Sequence, residues 1–282
     1  MSNNYISIYA KSFNWAGFFL PKKIFFKCSD LYDFCRTVDN IADENGDLDI
    51  KKKKFLDFKN NFINKNYNNQ IIKQMWALIE HFGISIEIIK DLFDGIESDL
   101  KEIVQLNSNK DLLIYSYRVA GTVGLMMAKI LNVQNENALK SAIDLGIAMQ
   151  LTNISRDVVE DSKNNRYYIS HNFKSIRETL KTADLFYESS FAGIKEIPFS
   201  FRFSILVARR IYKKIGHNIL KKENIENYNN SGKIYVTNFG KIIQTILSIY
   251  DLIRLLLIKP QDHLRDKEHQ IINEEINLNE RF

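Results

Sequence analysis

Proline occurs three times and glycine eleven times in 282 residues, so few turn-forming dipeptides break the chain and no strand-rich block stands out. Cysteine occurs twice, at Cys28 and Cys35. On one helix these would lie about two turns, roughly 10 Å, apart, which is beyond disulfide reach, so they read as reduced core thiols. No Cys/His cluster has the spacing of zinc ligands. Neither a Gly-x-x-x-x-Gly-Lys-Ser/Thr loop nor a Gly-x-Gly-x-x-Gly turn after a strand is present, which disfavours an ordinary nucleotide site. The start, Met-Ser-Asn-Asn-Tyr-Ile-Ser-Ile-Tyr, lacks the charged beginning and continuous apolar core of a signal peptide, so a cytoplasmic protein is expected. There is no repeat of solenoid period.

What is present is apolar residues, 45% of the chain, set at helical rather than alternating spacing. The fold class read from this is all-α. One domain is expected over 1–282, with a motif-bearing core over about 5–260 and a polar C-terminal tail over 261–282. The spacing predicts helices over Ile24 to Ala42, Ile50 to Ile63, Ile71 to His81, Ile86 to Leu100, Asp111 to Leu131, Asn137 to Asp161, Ser175 to Ala192 and Phe201 to Lys222. Asn224 to Gly232 reads as an Asn-rich loop. The last apolar run, Lys241 to Ile258, is interrupted by Gln244, Asp251 and Arg254 and is too short and too polar to span a bilayer. It reads first as a buried or half-buried core helix and second as a membrane-surface contact. The formal charge of +5 suggests affinity for anions, with nucleic acid, acidic lipid and diphosphate all open on charge alone. No nucleic-acid motif or aromatic-interleaved basic patch supports the first of these.

Two aspartate pairs stand out, Asp39 with Asp43 and Asp157 with Asp161, each at i,i+4. In a helix that spacing puts both carboxylates on one face, about 40° apart and one turn along the axis. Tyr32 and Arg36 share the stripe of the first pair, which by itself would suit a solvated charged face with an Arg–Asp contact. Gln150 and Asn153 share the stripe of the second, while Ile147, Leu151, Ile154 and Val158 make the other side apolar and fit for packing. Sparse carboxylates with neutral amide oxygens suit Mg²⁺, which takes one or two carboxylates together with water and substrate phosphates. Two such helices facing each other would make an oxygen-lined cage for hard cations and a phosphorylated ligand. Between the pairs, Val119, Ala120, Gly121 and Gly124 form a small-residue surface; helical glycine costs about 1 kcal/mol against alanine, so a close neighbour is expected, either a helix or a ligand.

In Ser12-Phe-Asn-Trp-Ala, Leu20-Pro, the stretch from Leu31 to Asp43, Tyr115-Ser-Tyr-Arg-Val-Ala-Gly-Thr-Val-Gly124, the stretch from Leu145 to Asp161, and Arg166-Tyr-Tyr168, the chain resembles the phytoene/squalene synthase family of head-to-head prenyl synthases. The resemblance implies one isoprenoid synthase domain, with helices around a central apolar cavity and the two Asp-rich helices facing at its mouth. It implies that Asp39, Asp43, Asn153, Asp157 and Asp161 hold Mg²⁺, for which Mn²⁺ could substitute, together with the diphosphates. Diphosphate contacts would come from Lys11, Ser12, Tyr32, Arg36, Gln150 and Arg156, with Tyr212, Lys233 and Lys241 added from later in the chain. Tyr115 would face the reacting carbons, and Phe13, Val119, Ala120 and Val123 would line the channel. Asn40 stands where many relatives carry a further acid, and Lys233 where they often carry Arg, which keeps the charge without the planar fork.

The activity implied is Mg²⁺-dependent joining of two geranylgeranyl diphosphates to phytoene through a cyclopropyl diphosphate, in carotenoid biosynthesis. The alternative is squalene or dehydrosqualene synthesis from two farnesyl diphosphates, with NADPH required only for squalene. A non-catalytic relative serving as an assembly factor is a further alternative, opposed by the retention of both carboxylate pairs with Arg36 and Arg156. Prenyl diphosphates are the expected partners, with peripheral membrane contact on the inner face as an accessory expectation.

Overall fold

Short polar side chains set the helix starts. Asp47 accepts hydrogen bonds from the backbone N–H groups of Asp49 and Ile50, and Asn69, Ser85, Ser108, Asn135, Asn172, Asn224 and Thr237 cap their helices in the same way. Each satisfies a donor that the first turn leaves open, typically worth about 1 kcal/mol. The structure, a computed structural model, describes residues 11–44, 46–259, 263 and 266–282. Residues 5–10 of the expected core and the side chain of Lys11 lie outside the described residues.

Thirteen α-helices follow one another among the described residues: α1 (Lys11–Gly17), α2 (Lys22–Asp43), α3 (Leu48–Ile63), α4 (Gln70–Phe82), α5 (Ile86–Glu97), α6 (Asn109–Ser116), α7 (Thr122–Ile130), α8 (Glu136–Lys163), α9 (Phe173–Gly193), α10 (Phe199–Leu220), α11 (Ile225–Asn230), α12 (Asn238–Leu257) and α13 (Lys267–Glu275). The all-α expectation holds. The spine is α8, which packs on α9, α7 and α10. Phe34 of α2, Phe62 of α3 and Phe93 of α5 interlock with ring centroids 5.3 to 6.2 Å apart, and all three are essentially buried. Full burial of one such ring is worth about 1.5 to 3 kcal/mol.

The structure adds α1 and α13, which lie outside the expected helices, and differs from the sequence-based elements in four further places. The helix expected over Asp111 to Leu131 is divided by a π-helical stretch, Tyr117–Gly121, which periodicity does not register because it adds only one residue to a turn. The expected loop over Asn224 to Gly232 contains α11, capped by Asn224 and anchored by buried Tyr228, whose hydroxyl reaches the carbonyls of Ser155 and Arg156. Two-residue strands, β1 (Val104–Gln105) and β2 (Arg166–Tyr167), pair in parallel with Val104 opposite Arg166.

The fourth difference is larger. The run from Lys241 to Ile258 does form a helix, α12, but not a core helix: Ile246, Ile249, Ile253 and Leu257 are at least half exposed, while polar residues of the same helix face the protein. No helix among the described residues is long and apolar enough to cross a membrane.

The polar tail is folded back onto the bundle. Arg281 places both arms of its guanidinium on Asp91 at 2.9 Å, and Tyr117 donates to the same carboxylate at 2.8 Å. One buried acid thus joins α5, the π stretch and the tail. Asp144 of α8 takes Ser189 of α9 and the two tail histidines, His263 and His269. Cys28 and Cys35 are free thiols, each pushed up to about 12 mainly by burial.

The small-residue surface proves to be a helix contact. A Cβ at Gly124 would run into the carbonyl oxygen of Ala142, and one at Gly146 into that of Ala120. Gly124→Ala should therefore destabilise the protein by about 1 to 3 kcal/mol despite the helix-propensity gain of about 1 kcal/mol, because the obstacle is backbone and cannot turn away. A urea unfolding midpoint at or above the parent value would contradict this packing.

Candidate active site

The first aspartate pair sits at the C-terminal end of α2, where Arg36, Asp39 and Asp43 point from one stripe. Arg36 Nη1 donates to Asp39 Oδ2 at 2.6 Å and lies 3.6 Å from Asp43 Oδ2. The second pair sits on the last turns of α8. There the Arg156 guanidinium lies on Asp157 with contacts of 2.9 and 2.5 Å, and Lys233 bonds to Glu160 at 2.5 Å and lies 3.4 Å from Asp157. Asp161 has no ion-pair partner among the described residues.

What brings the pairs together is Arg166. It donates to Asp43 Oδ1 at 2.6 Å and to the Ala42 carbonyl at 3.2 Å. Its place is set by α8 ending at Lys163 and by the β1–β2 pairing that follows within three residues. The field of its guanidinium also reaches Asp39, Asp99 and Asp161. One cation, bonded to α2 through Asp43, thus also acts on an α8 carboxylate, Asp161.

Behind Arg166 lies a buried polar triad. Tyr115 donates to Asp99 Oδ2 at 2.7 Å and Tyr168 to Asp99 Oδ1 at 3.0 Å, with the two rings stacked at 4.7 Å. Burial raises the Asp99 carboxyl above the usual carboxylate range, opposed by Arg166 and by the two hydroxyls. Burial and the adjacent Asp99 charge hold the Tyr115 phenol well above its ordinary value. Tyr115 is thereby kept protonated and oriented beside the carboxylates.

The remaining candidates fall around this centre. Tyr32 is half-buried one turn before Arg36, and its surroundings include Tyr212. Tyr212 packs on Phe13 at 5.2 Å between centroids, lies in the field of Arg156 and Asp157, and is pushed up to about 12 by burial. Val119, Ala120 and Val123, on the π stretch and the start of α7, are half-buried although their helices are interior. Ser12 is half-buried on α1 beside Phe13. Lys241 is buried on α12 with its ammonium 5.8 Å over the Trp15 ring. Asn153 turns its Nδ2 toward Gln150 at 3.4 Å and leaves a buried Oδ1 with no hydrogen-bond partner among the described residues.

Asp99, Arg166, Tyr168, Glu160 and Tyr228 had no role in the sequence reading. Their partners stand 16 to 124 residues away, and no helical period joins such positions. Arg166 and Tyr168 follow closely on the second aspartate pair and belong to one of the blocks that carry the family resemblance, but neither signal gives them a task. The other cluster of possible metal ligands, Asp144 with His263 and His269, is built for hydrogen bonding. His269 Nδ1 accepts the Asp266 backbone N–H, so the ring proton sits on Nε2, the atom facing Asp144, and no lone pair is left there for a metal.

Residues 7–173 match the family profile described as Squalene/phytoene synthase. The chain is 30% identical over 236 residues to the phytoene synthase of Rhodobacter capsulatus, spanning 74% of this chain and 69% of that protein. It is 33% identical over 167 residues to the 4,4'-diapophytoene synthase of Staphylococcus haemolyticus, spanning 57% and 58%. Among solved structures, a dehydrosqualene synthase in complex with ligand superposes with a TM-score of 0.73 at 25% identity, covering 89% of this chain and 94% of that one.

The carboxylates make a pH signature. Burial, then the Asp157 charge, pushes Asp161 up to about 7; desolvation by the surrounding protein, then Asp43, pushes Asp39 up to about 6, although its side chain is 44% exposed to the cleft. Folded values above the unfolded value of about 4 mean that the associated stability is present in full below about pH 4 and is lost as pH rises through about 6 to 7. With divalent cations chelated, the thermal midpoint should fall across that interval. Asp161→Asn should flatten the fall and raise the midpoint at about pH 8; an unchanged profile in that variant would show that Asp161 is not the strained acid.

Proposed function

The chain belongs to the squalene/phytoene synthase family, and on that premise we propose that it condenses two geranylgeranyl diphosphates head to head to phytoene. The coarser assignment, a prenyltransferase of head-to-head condensation in carotenoid synthesis, follows from the family and from the phytoene synthases it resembles. The observation that supports a diphosphate-handling reading is that cations sit on the carboxylates of both helices, Arg36 on Asp39, Arg166 on Asp43, and Arg156 with Lys233 on Asp157. That arrangement suits a doubly phosphorylated leaving group held by cations.

The donor set fits Mg²⁺. It is made of oxygen only, it is sparse, and it includes the buried Asn153 Oδ1, which has no hydrogen-bond partner among the described residues, as expected for a hard cation that shares its shell with substrate phosphate. Asp39, Asp43, Asn153, Asp157 and Asp161 would hold it. When bound, Mg²⁺ supplies electrostatic stabilisation to the charge that develops on the departing diphosphate.

The chain's own residues do the rest. Arg36, Arg156 and Lys233 neutralise carboxylates in the structure and would turn toward diphosphate oxygens, with Lys11, Ser12, Tyr32, Gln150, Tyr212 and Lys241 as further contacts in this reading. Ionisation of one allylic diphosphate leaves a cation that alkylates the second substrate with loss of a proton, giving a cyclopropyl diphosphate. Its ionisation, rearrangement and a second proton loss give phytoene. Water must be kept away from these cations, a role that suits Phe13, Val119, Ala120 and Val123. Tyr115, locked as a neutral phenol by Asp99 and Tyr168, offers a dipole to positive charge without a nucleophilic phenolate.

A second reading takes two farnesyl diphosphates to dehydrosqualene, or with NADPH to squalene. It is favoured by the likeness to the dehydrosqualene synthase structure. Purified protein incubated with Mg²⁺ and either substrate, with and without NADPH, separates the two by product chromatography. We expect phytoene from geranylgeranyl diphosphate, independent of NADPH; failure to condense that substrate would remove the first reading.

Asp157→Asn and Asp39→Asn should each lower turnover by about 100-fold or more, the scale lost with one transition-state electrostatic partner, while far-ultraviolet dichroism stays near the parent. Loss of helicity in either variant would mark that carboxylate as structural.

A further inference from the structure

Helix α12 is amphipathic the wrong way round for a surface helix of a water-soluble protein. The positions it buries, Lys241, Gln244, Ser248, Asp251 and Leu255, follow a 3-4-3-4 spacing and are polar in four cases of five. The positions it exposes include Ile242, Ile246, Ile249, Ile253, Leu256 and Leu257, each between 46% and 80% accessible.

The helix cannot roll to correct this. Asp251 takes a two-armed contact from Arg210 at 2.5 and 2.8 Å, and Trp15 Nε1 donates to Thr245 Oγ1 at 3.0 Å. Lys195 donates to the carbonyl of Ile258 at the far end. Exposed rings belong to the same face or stand close in sequence to these ties: Phe239 and Tyr250 on α12 are 72% and 64% accessible, Phe18, three residues after Trp15, is 78%, and Phe199, four after Lys195, is 61%. An apolar strip the length of a 20-residue helix, about 30 Å, faces outward with an aromatic border.

Charge selects the occupant. The one acid on α12, Asp251, is buried and paired, so the outward face carries Arg254 and no carboxylate. Exposed charges next in sequence to the strip and its aromatic border are Lys22, Lys23 and Lys259 against Glu196. A second copy docked about a two-fold axis would set this cationic rim against itself, whereas an anionic lipid surface is complementary to it.

We propose that this face docks on an anionic bilayer, with α12 lying in the membrane plane, its isoleucines and leucines in the acyl boundary and the basic rim at the headgroups. The inference goes beyond the catalytic reading and stands without it.

The test is flotation of the full chain with neutral phosphatidylcholine vesicles and with vesicles containing about one-third phosphatidylglycerol. The protein should float with the anionic vesicles and be released by salt. Ile246→Glu combined with Ile253→Glu should cut partitioning roughly tenfold or more while leaving dichroism and the thermal midpoint unchanged, since both sites are exposed. Equal flotation of parent and double variant would overturn the proposal, as would absence of the parent from both vesicle types. A parent that sediments as a dimer, becomes monomeric in the double variant and never floats would assign the face to a second copy instead.

Discussion

Arg166 is where the two halves of the site meet. The aspartates repel one another within each pair, and the structure links the two helices that carry them with a guanidinium that bonds Asp43 directly and lies within the field of Asp39, Asp99 and Asp161. Coulomb interaction between unit charges about 4 Å apart is about 4 kcal/mol at an effective dielectric of 20, enough for one cation to offset much of the repulsion within a pair. Asp39 and Asp161 nonetheless remain harder to ionise than free aspartates, first because burial disfavours their charge and then because Asp43 and Asp157 stand beside them. A site left short of positive charge in this way is suited to taking up more.

The architecture follows from holding that centre. The end of α8 fixes Asp157 and Asp161, the β1–β2 pairing then turns Arg166 back, and α11 is anchored behind through Tyr228 onto the last helical turns. Gly124 and Gly146 let α7 and the π stretch approach α8 backbone to backbone, which keeps the π stretch against the spine. The buried acids Asp91, Asp99 and Asp144 each collect hydroxyls or cations from distant segments. Such networks fix one arrangement where apolar contacts alone would tolerate several.

Much of this was legible in the residues themselves. Asp39 with Asp43, and Asp157 with Asp161, announce themselves because helical geometry converts a spacing of four into one face. The long helices show in their apolar periods, and Gly83 ends α4 in a left-handed turn as its position suggests. Asp99 was not legible, because its role comes from Tyr115 and Tyr168, which reach it from different elements. Arg166 was quoted within a motif and given no task, since nothing local says that a guanidinium after one carboxylate helix will bond to the other. For α12, apolar content suggested burial, and only the positions of Arg210 and Trp15 determine that its polar side is the inner one.

The two-residue pairing of β1 with β2 makes the chain unequally tolerant of length change. Only Asn164 and Asn165 separate the end of α8 from Arg166, and in a strand each added residue reverses the side to which the next side chain points. One residue inserted there would carry the guanidinium away from Asp43 while leaving every helix intact. A residue inserted beside exposed Gly46 would leave both carboxylates of the first pair on α2. The shortest element in the fold is therefore the one whose length is least negotiable.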